Sequence, residues 1–209
     1  MKNFFIYLTI GCLFLAAGCT KKAIIRKYYI IDIPADSSVS FVERTAPLPF
    51  HLEIRDFEVA KAFSQMPIAL RTQSNELNYY FYHHWAVKPG TGIADIIFAC
   101  IDQSGLFQKV TRGYIPDSDY CLMGHVYAIE RLQNRKKASA HLHLKFVLLD
   151  HHLTKPLLFH EFDRTKPFTP QKQMNPFAVA VSEILFEEFE LFIEDILNYF
   201  DESGASLED

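Results

Sequence analysis

The sequence predicts an α/β (α+β) domain, a two-layer sandwich in which a mixed, largely antiparallel sheet packs against two main helices. Strand-type segments lie on both sides of one helical segment, and a long amphipathic helical segment follows the last of them. The composition agrees, because 49% of the 209 residues are hydrophobic and 22% are charged. That balance is typical of a globular protein with a substantial core.

The first part of the chain alternates apolar and polar residues with the two-residue period of strands. Leu52, Ile54 and Phe57 provide one such apolar series, and prolines and polar clusters separate the series from one another. The predicted elements are, in chain order, a strand over 24–33, a loop over 34–49, a strand over 51–59, and a hairpin of strands 67–72 and 77–83 around a four-residue turn at 73–76.

A helix is predicted next, because Pro89 suits a first helical turn, isoleucines recur at helical spacing, and Gly105 suits a helix end. The later predicted elements are a strand over 106–111, long strands over 120–132 and 137–149, a strand over 157–162, a polar loop over 167–175 and a helix over 176–200. The second long strand alternates along its length, and the last helix carries an apolar stripe, so each has one face for the core.

The N-terminus predicts a lipoprotein signal peptide. An apolar run over 4–17 follows Lys2; it is too short to cross a bilayer but suits the core of a signal peptide. The run ends in Leu-Ala-Ala-Gly-Cys at 15–19, and small residues before a cysteine form a bacterial lipobox. We expect a diacylglycerol and an N-acyl chain on Cys19 and no other cofactor. The alternative is an ordinary signal peptide, or a cut-off anchor helix, with an incidental cysteine.

The chain therefore divides into four predicted parts: a signal peptide at 1–18, a lipidated tether at 19–27, a single α/β domain at 28–200 and an acidic tail at 201–209. Thr20 follows the anchor, and an aspartate there would favour the inner membrane of a Gram-negative envelope. We therefore expect the periplasmic face of the outer membrane. The formal net charge of −4 offers no basic excess for a nucleic-acid backbone, so nucleic-acid binding is not expected.

Several short motifs follow the lipobox along the chain. They are YYIID at 28–32, LEIRDFEV at 52–59, IALR at 68–71, HWAVKP at 84–89, GLFQKV at 105–110 and PFAVAVS at 176–182. In order and spacing the chain resembles the ABC-type transport auxiliary lipoproteins, whose usual arginine before the tryptophan is His84 here. The resemblance implies a non-catalytic lipoprotein that helps an ABC transporter and its MCE-type substrate-binding protein move lipid. MCE proteins typically form rings, so a homo-oligomer is also plausible by analogy.

Two groups of residues are candidates for contact with a partner or with lipid. Trp85, Tyr80 and Tyr82 lie in an aromatic segment that either lines an acyl-chain groove or interface or seals a strand against a helix. Glu187 and Glu190, together with Glu194, belong to residues 182–209, which hold ten acidic side chains and no lysine or arginine. That acidic face either docks a basic partner or is simply solvated.

Other chemistry has weaker support. His141 and His143 lie two residues apart on one strand face, but a catalytic zinc needs three protein ligands, so no metal site is expected. Cys100 and Cys121 are either a disulfide or two buried thiols. No nucleophile elbow or phosphate loop is present, so an enzyme is not expected. The alternatives to a docking lipoprotein are a periplasmic lipid-binding carrier and a histidine-based, metal-dependent hydrolase.

Overall fold

In the computed structural model, the structure describes residues 25–34, 46–134, 137–150, 156–169, 174–202 and 204. The predicted signal peptide, the Cys19 lipidation site and most of the predicted tail lie outside these residues. The elements are β1 (Lys27–Tyr29), β2 (Leu48–Ile54), β3 (Glu58–Val59), β4 (Pro67–Gln73), β5 (Glu76–Trp85), α1 (Pro89–Ser104), β6 (Phe107–Arg112), β7 (Tyr120–Asn134), β8 (Lys137–Asp150), β9 (Pro156–Phe168) and α2 (Asn175–Glu202).

The nine described strands form one mixed sheet around the long strand β7. One edge of β7 pairs antiparallel with β8, which pairs antiparallel with β9. The other edge of β7 pairs in turn with β2, β3 and β4, each of them parallel to it. The sheet forks there, because β6 continues it beyond β2 while β5 and then β1 continue it beyond β4.

Both helices share one hydrophobic core with the sheet, which confirms the predicted α+β sandwich. α1 packs against β2, β3, β6 and β7, and α2 packs against β8 and β9. Aromatic rings dominate the layer under α2, where Phe146 of β8 stacks on Phe192 with ring centroids 5.2 Å apart. Gly105 ends α1 in the left-handed conformation, as its position in the sequence predicts. Among the described residues, no helix combines the length and apolar character needed to span a membrane.

Several predicted boundaries in the first half were wrong. Of the strand predicted over 24–33, the described residues 25–33 contain only the three residues of β1, and the segment predicted over 51–59 is two strands. The interruption places Phe57 in the core, where its backbone amide donates to the carbonyl of Gly90 in α1. The predicted four-residue turn has two residues, because Gln73 and Glu76 already pair.

The last strand is longer than predicted. β9 runs from Pro156 to Phe168, so it includes the first residues of the predicted loop over 167–175. Pairing with β8 along almost its whole length holds these residues in the sheet, and Pro167 lies opposite Ser139. A proline is tolerated there because β9 pairs with β8 alone among the described strands, and edge strands accommodate proline.

Candidate functional site

Trp85 ends β5 and closes the core at the start of α2. Its side chain is 2% exposed, and its ring centroid lies 5.7 Å from that of Phe177 in α2. The backbone amide of Trp85 donates to the carbonyl of Met66, which fixes the end of the strand. The residue therefore joins strand to helix, and it also lines a narrow groove toward α1.

The rest of the aromatic segment is divided between the interior and solvent. β5 contains extra residues relative to β4, since Pro67 pairs with His84 but Ala69 pairs with Tyr79. Such a bulge breaks the alternation of faces. Tyr80 is consequently half-buried against the ring of His83, whereas Tyr82 is 37% exposed.

A cleft lies between β1 and the start of α2. Its volume is about 470 Å³, and it is lined by Lys27, Tyr28, Tyr29, Ile30, Asn175 and Ala178. Lys27 pairs with His83 across the parallel β1–β5 ladder, and the hydroxyl of Tyr29 shares a 2.8 Å hydrogen bond with Nδ1 of His83. Burial, followed by the charges of Lys27 and Arg131, lowers the pKa of His83.

Arg131 of β7 brings a buried positive charge to the same region. Its side chain donates to the amide oxygen of Gln133 at 2.6 Å and to Sδ of Met174 at 3.0 Å. Its guanidinium carbon lies 5.5 Å from the centroid of the Phe168 ring. The residue is 8% exposed, and its Nε atom has no acceptor among the described residues. Met174 directly precedes α2, so this charge lies at the start of that helix.

A narrower groove lies next to the cleft, on the side of α1. It has a volume of about 170 Å³, and its lining includes Tyr29, Ile30, Trp85, Val87, Gly92 and Ile96. Tyr29 and Ile30 line both the cleft and the groove. Two apolar side chains of the groove remain open to solvent, Ile30 at 57% and Val87 at 45% exposure.

His84, which replaces the arginine of the resembled family, lies outside this groove. Its Nε2 atom is 3.0 Å from the carbonyl oxygen of Phe81, and its ring lies 5.9 Å from that of Tyr28. Tyr28 is 58% exposed. His84 therefore takes part in an exposed contact between β1 and β5.

The acidic residues of α2 differ in their surroundings. Glu187, Glu190 and Glu194 lie on the exposed side of the helix and are called the acidic ridge below. Glu187 accepts a 2.6 Å hydrogen bond from Lys166 of β9. Partial burial and the charges of Glu194 and Glu187 raise the pKa of Glu190, and no described cation lies within ion-pair distance of Glu190 or Glu194.

Glu188, in contrast, belongs to the interior. It is 4% exposed, accepts from the guanidinium of Arg164 at 2.5 Å and lies 2.8 Å from Nε2 of His160. Sequence reasoning placed Glu188 on the same acidic face as its neighbours. The structure removes it from that face, because position 188 points toward β9 and its partners there.

The paired histidines of β8 contact carboxylates. His141 joins Glu130 at 3.0 Å and Asp163 at 2.8 Å, and the guanidinium of Arg71 donates to both oxygens of Glu130. The hydrogen bond to Glu130, followed by that to Asp163, raises the pKa of His141 against the effect of burial. His143 lies 3.3 Å from Glu161. Within the described parts of the chain, no three potential ligands are arranged to hold a metal ion.

Cys100 and Cys121 are free thiols in the core, one on α1 and one on β7. Burial raises the pKa of each thiol to about 12; for Cys121 the adjacent Glu53 adds to the effect. Neither sulfur is therefore an activated nucleophile.

Sequence reasoning assigned Lys27 to the lipidated tether and missed His83 and Arg131, and the fold brings all three to one region. A signal exists only for Arg131, a charged residue inside the long and otherwise mostly apolar strand β7. Lys27 and His83 are distant in sequence, and only the parallel pairing of β1 with β5 makes them neighbours.

Comparison with solved structures places this architecture in a known fold. The chain is similar to the crystal structure of protein XCC0632 from Xanthomonas campestris, assigned to DUF330, with a TM-score of 0.66 and 18% identity over 87% of this chain and 98% of that one. An uncharacterized protein gives a TM-score of 0.54 and 10% identity over 82% and 96% of the two chains.

A weaker likeness, with a TM-score of 0.39 and 11% identity, links the chain to lipoprotein GNA1162 from Neisseria meningitidis over 72% of this chain and 99% of that one. At these identities, what the first two comparisons establish is a shared fold. No model of a known protein family matches the sequence, and no curated protein matches it.

Proposed function

We propose that the protein is a non-catalytic lipoprotein, anchored through acylated Cys19 at the periplasmic face of the outer membrane, that docks an envelope lipid transporter. The partners would be an ABC transporter and its MCE-type substrate-binding protein. The lipobox at 15–19 carries the proposal, because it attaches the chain to a membrane and it precedes the ordered motifs of the resembled family. The DUF330 structure shares the fold of the domain that follows the predicted anchor.

A binding role also agrees with the buried carboxylates, because the side chains around them already provide their hydrogen-bond and ion-pair partners. Glu130 forms ion pairs with Arg71 and His141, and Glu188 forms ion pairs with Arg164 and His160. Glu53 accepts hydrogen bonds from the amide of Ile115, the hydroxyl of Ser118 and the guanidinium of Arg55. Hydrogen-bonded buried carboxylates of this kind stabilise a fold.

The acidic ridge is the surface that we propose for docking. Glu190 and Glu194 project from one helix, and partial burial, followed by repulsion from Glu194 and Glu187, raises the pKa of Glu190. A basic surface on the partner would relieve that repulsion and accelerate association. Glu187 contributes less, because Lys166 already neutralises it.

Affinity capture of the acylated full chain from native envelopes, followed by mass spectrometry of the bound proteins, tests the proposal. We expect an MCE protein or its ABC permease to be recovered. The double variant E190K/E194K should lose it, whereas the matched variant D102K/D117K, with both reversals at exposed positions away from α2, should retain it. Recovery of a different envelope machine would refute the pathway, and capture unaffected by E190K/E194K would refute the docking surface.

A further inference from the structure

The cleft beside β1 and the groove beside Trp85 are adjacent depressions, because Tyr29 and Ile30 line both. The two parts differ in chemistry. The cleft contains Lys27 and the first residue of α2, whereas the groove is lined mainly by apolar side chains. A site with a cationic end and an apolar end matches a ligand with an anionic head and a hydrocarbon chain.

The cationic end rests on three independent features. Lys27 lines the cleft, and α2 begins there at Asn175 with no acidic residue in its first turn. A helix start of this kind favours an anion. The third feature is Arg131, which does not line the cleft but whose buried guanidinium reaches Met174, the residue before α2, and whose Nε atom has no acceptor among the described residues.

The pKa of His83 is sensitive to the same positive charges. This side chain contacts Tyr29, which lines the cleft, and Tyr80, which packs against it from β5. The charges of Lys27 and Arg131 reinforce burial in lowering its pKa. An anion bound in the cleft would offset both positive charges and raise the pKa of His83.

The apolar end is open to solvent at Ile30 and Val87 and closed below by Trp85. Its volume of about 170 Å³ suits part of one acyl chain, and the cleft of about 470 Å³ lies within the usual range of small-molecule sites, about 300–1,000 Å³. Asp95 also lines the groove, but Arg112 pairs with it at 2.9 Å. The groove therefore presents no unpaired negative charge from that residue.

We propose that the adjacent cleft and groove together bind an anionic phospholipid, with the headgroup phosphate beside Lys27 and the start of α2 and an acyl chain beside Trp85. Their position suits a membrane ligand, because Lys27 follows Cys19 by eight residues and lies within about 26 Å of an anchor there. That positional argument uses the anchor of the proposed function. The lipid site itself is independent of the transporter, so failure to capture a transporter would leave it standing.

Trp85 makes the site measurable, since it is the only tryptophan in the chain. The full chain, purified in a maltoside detergent, is titrated with phosphatidylglycerol carrying brominated acyl chains, and indole fluorescence is recorded. Phosphatidylcholine with the same chains is the neutral comparison. We expect phosphatidylglycerol to quench Trp85 at a several-fold lower concentration than phosphatidylcholine does.

Matched variants separate the two ends of the site. K27E should remove the preference for phosphatidylglycerol, whereas K109E, at an exposed lysine of β6, should retain it. G92L should abolish quenching by both lipids, because a side chain at Gly92 enters the groove and its Cβ meets only Val87, at 3.8 Å. G92A is the control for helix stability, and V87D tests the groove a second way if G92L does not fold.

Three results would overturn the proposal. Quenching that is equal for both lipids and unchanged by K27E and G92L would come from the micelle and not from the site. Inorganic phosphate that shifts the NMR titration of His83 as strongly as phosphatidylglycerol does would define a small-anion site without a lipid. A dimer in sedimentation that G92L disrupts, with no quenching, would show that a second copy of the chain occupies the groove.

Discussion

The ring of Phe57 lies directly on the backbone of Gly124, in the middle of β7. A methyl group at position 124 would overlap the Cδ2 and Cε2 atoms of that ring and would lie 2.8 Å from the carbonyl oxygen of Lys145. Gly90 of α1 approaches the carbonyl of Phe57 equally closely. Because Gly90 and Gly124 have no side chains, Phe57 fits between the helix and the sheet at the interruption between β2 and β3.

We expect Gly124→Ala to reduce the free energy of unfolding by about 1–3 kcal/mol, because overpacking forces ring and backbone apart. Urea denaturation followed by circular dichroism measures this. Gly92→Ala is the matched control and should be neutral or stabilising by up to about 1 kcal/mol, since its Cβ has room and alanine favours the helix. Equal effects of the two substitutions would contradict the packing described for Phe57.

Sequence periodicity predicts a helix or strand well where only one face of that element packs against the core. The alternation of β8 and the apolar stripe of α2 are examples. In both, the face on which each side chain lies follows from the period alone. It fails at Phe57, where the predicted strand over 51–59 breaks. What decides that position is the close approach of Gly90 and Gly124, which are far away in the chain.

The same reason explains what could be predicted of the candidate site. Trp85 and the acidic ridge were identifiable because aromatic residues cluster before Trp85 and glutamates cluster in the last helical segment of the sequence. The cleft was not identifiable, since Lys27 and Asn175, which line it, come from β1 and α2 and are far apart in the chain. Glu188 illustrates the converse error: its neighbours are exposed acids, and only the packing of β9 against α2 shows that it is buried.

We expect Glu188→Ala to lower the free energy of unfolding by about 2–3 kcal/mol, because Arg164 and His160 lose a buried charged acceptor. Glu187→Ala, one residue earlier, should change it by less than about 1 kcal/mol, since its pair with Lys166 is half exposed. Chemical denaturation of both variants at pH 7 provides the comparison. If Glu187→Ala were the more damaging of the two, the assignment of faces on α2 would be wrong.

The raised pKa of His141 predicts a pH-dependent contribution to stability. The folded protein holds the proton on His141 more tightly than the unfolded chain, whose value is about 6.5. The contribution is therefore fully present below that pH and is lost as the pH rises through the higher, folded value.

Accordingly, His141→Gln should destabilise the protein more at pH 5.5 than at pH 9, measured as the difference from wild type in urea midpoints. Asp163→Asn should reduce the same pH dependence partly, because Glu130 remains as the stronger partner. Parallel stability curves for wild type and His141→Gln across this range would show that His141 gains nothing from its carboxylates.

The buried thiols give a prediction about reactivity. Because burial raises the pKa of Cys100 and Cys121 to about 12, thiolate is scarce at pH 8 and the sulfurs are shielded from reagents. Iodoacetamide should leave both residues unmodified in the native full chain, and peptide mass spectrometry should find both modified in 6 M guanidinium. Partial urea provides the control, since labelling at both sites should increase together with the unfolded fraction. Rapid labelling of Cys100 alone in the native protein would mean that α1 opens independently of the sheet. That result would contradict a single hydrophobic core shared by both helices and the sheet.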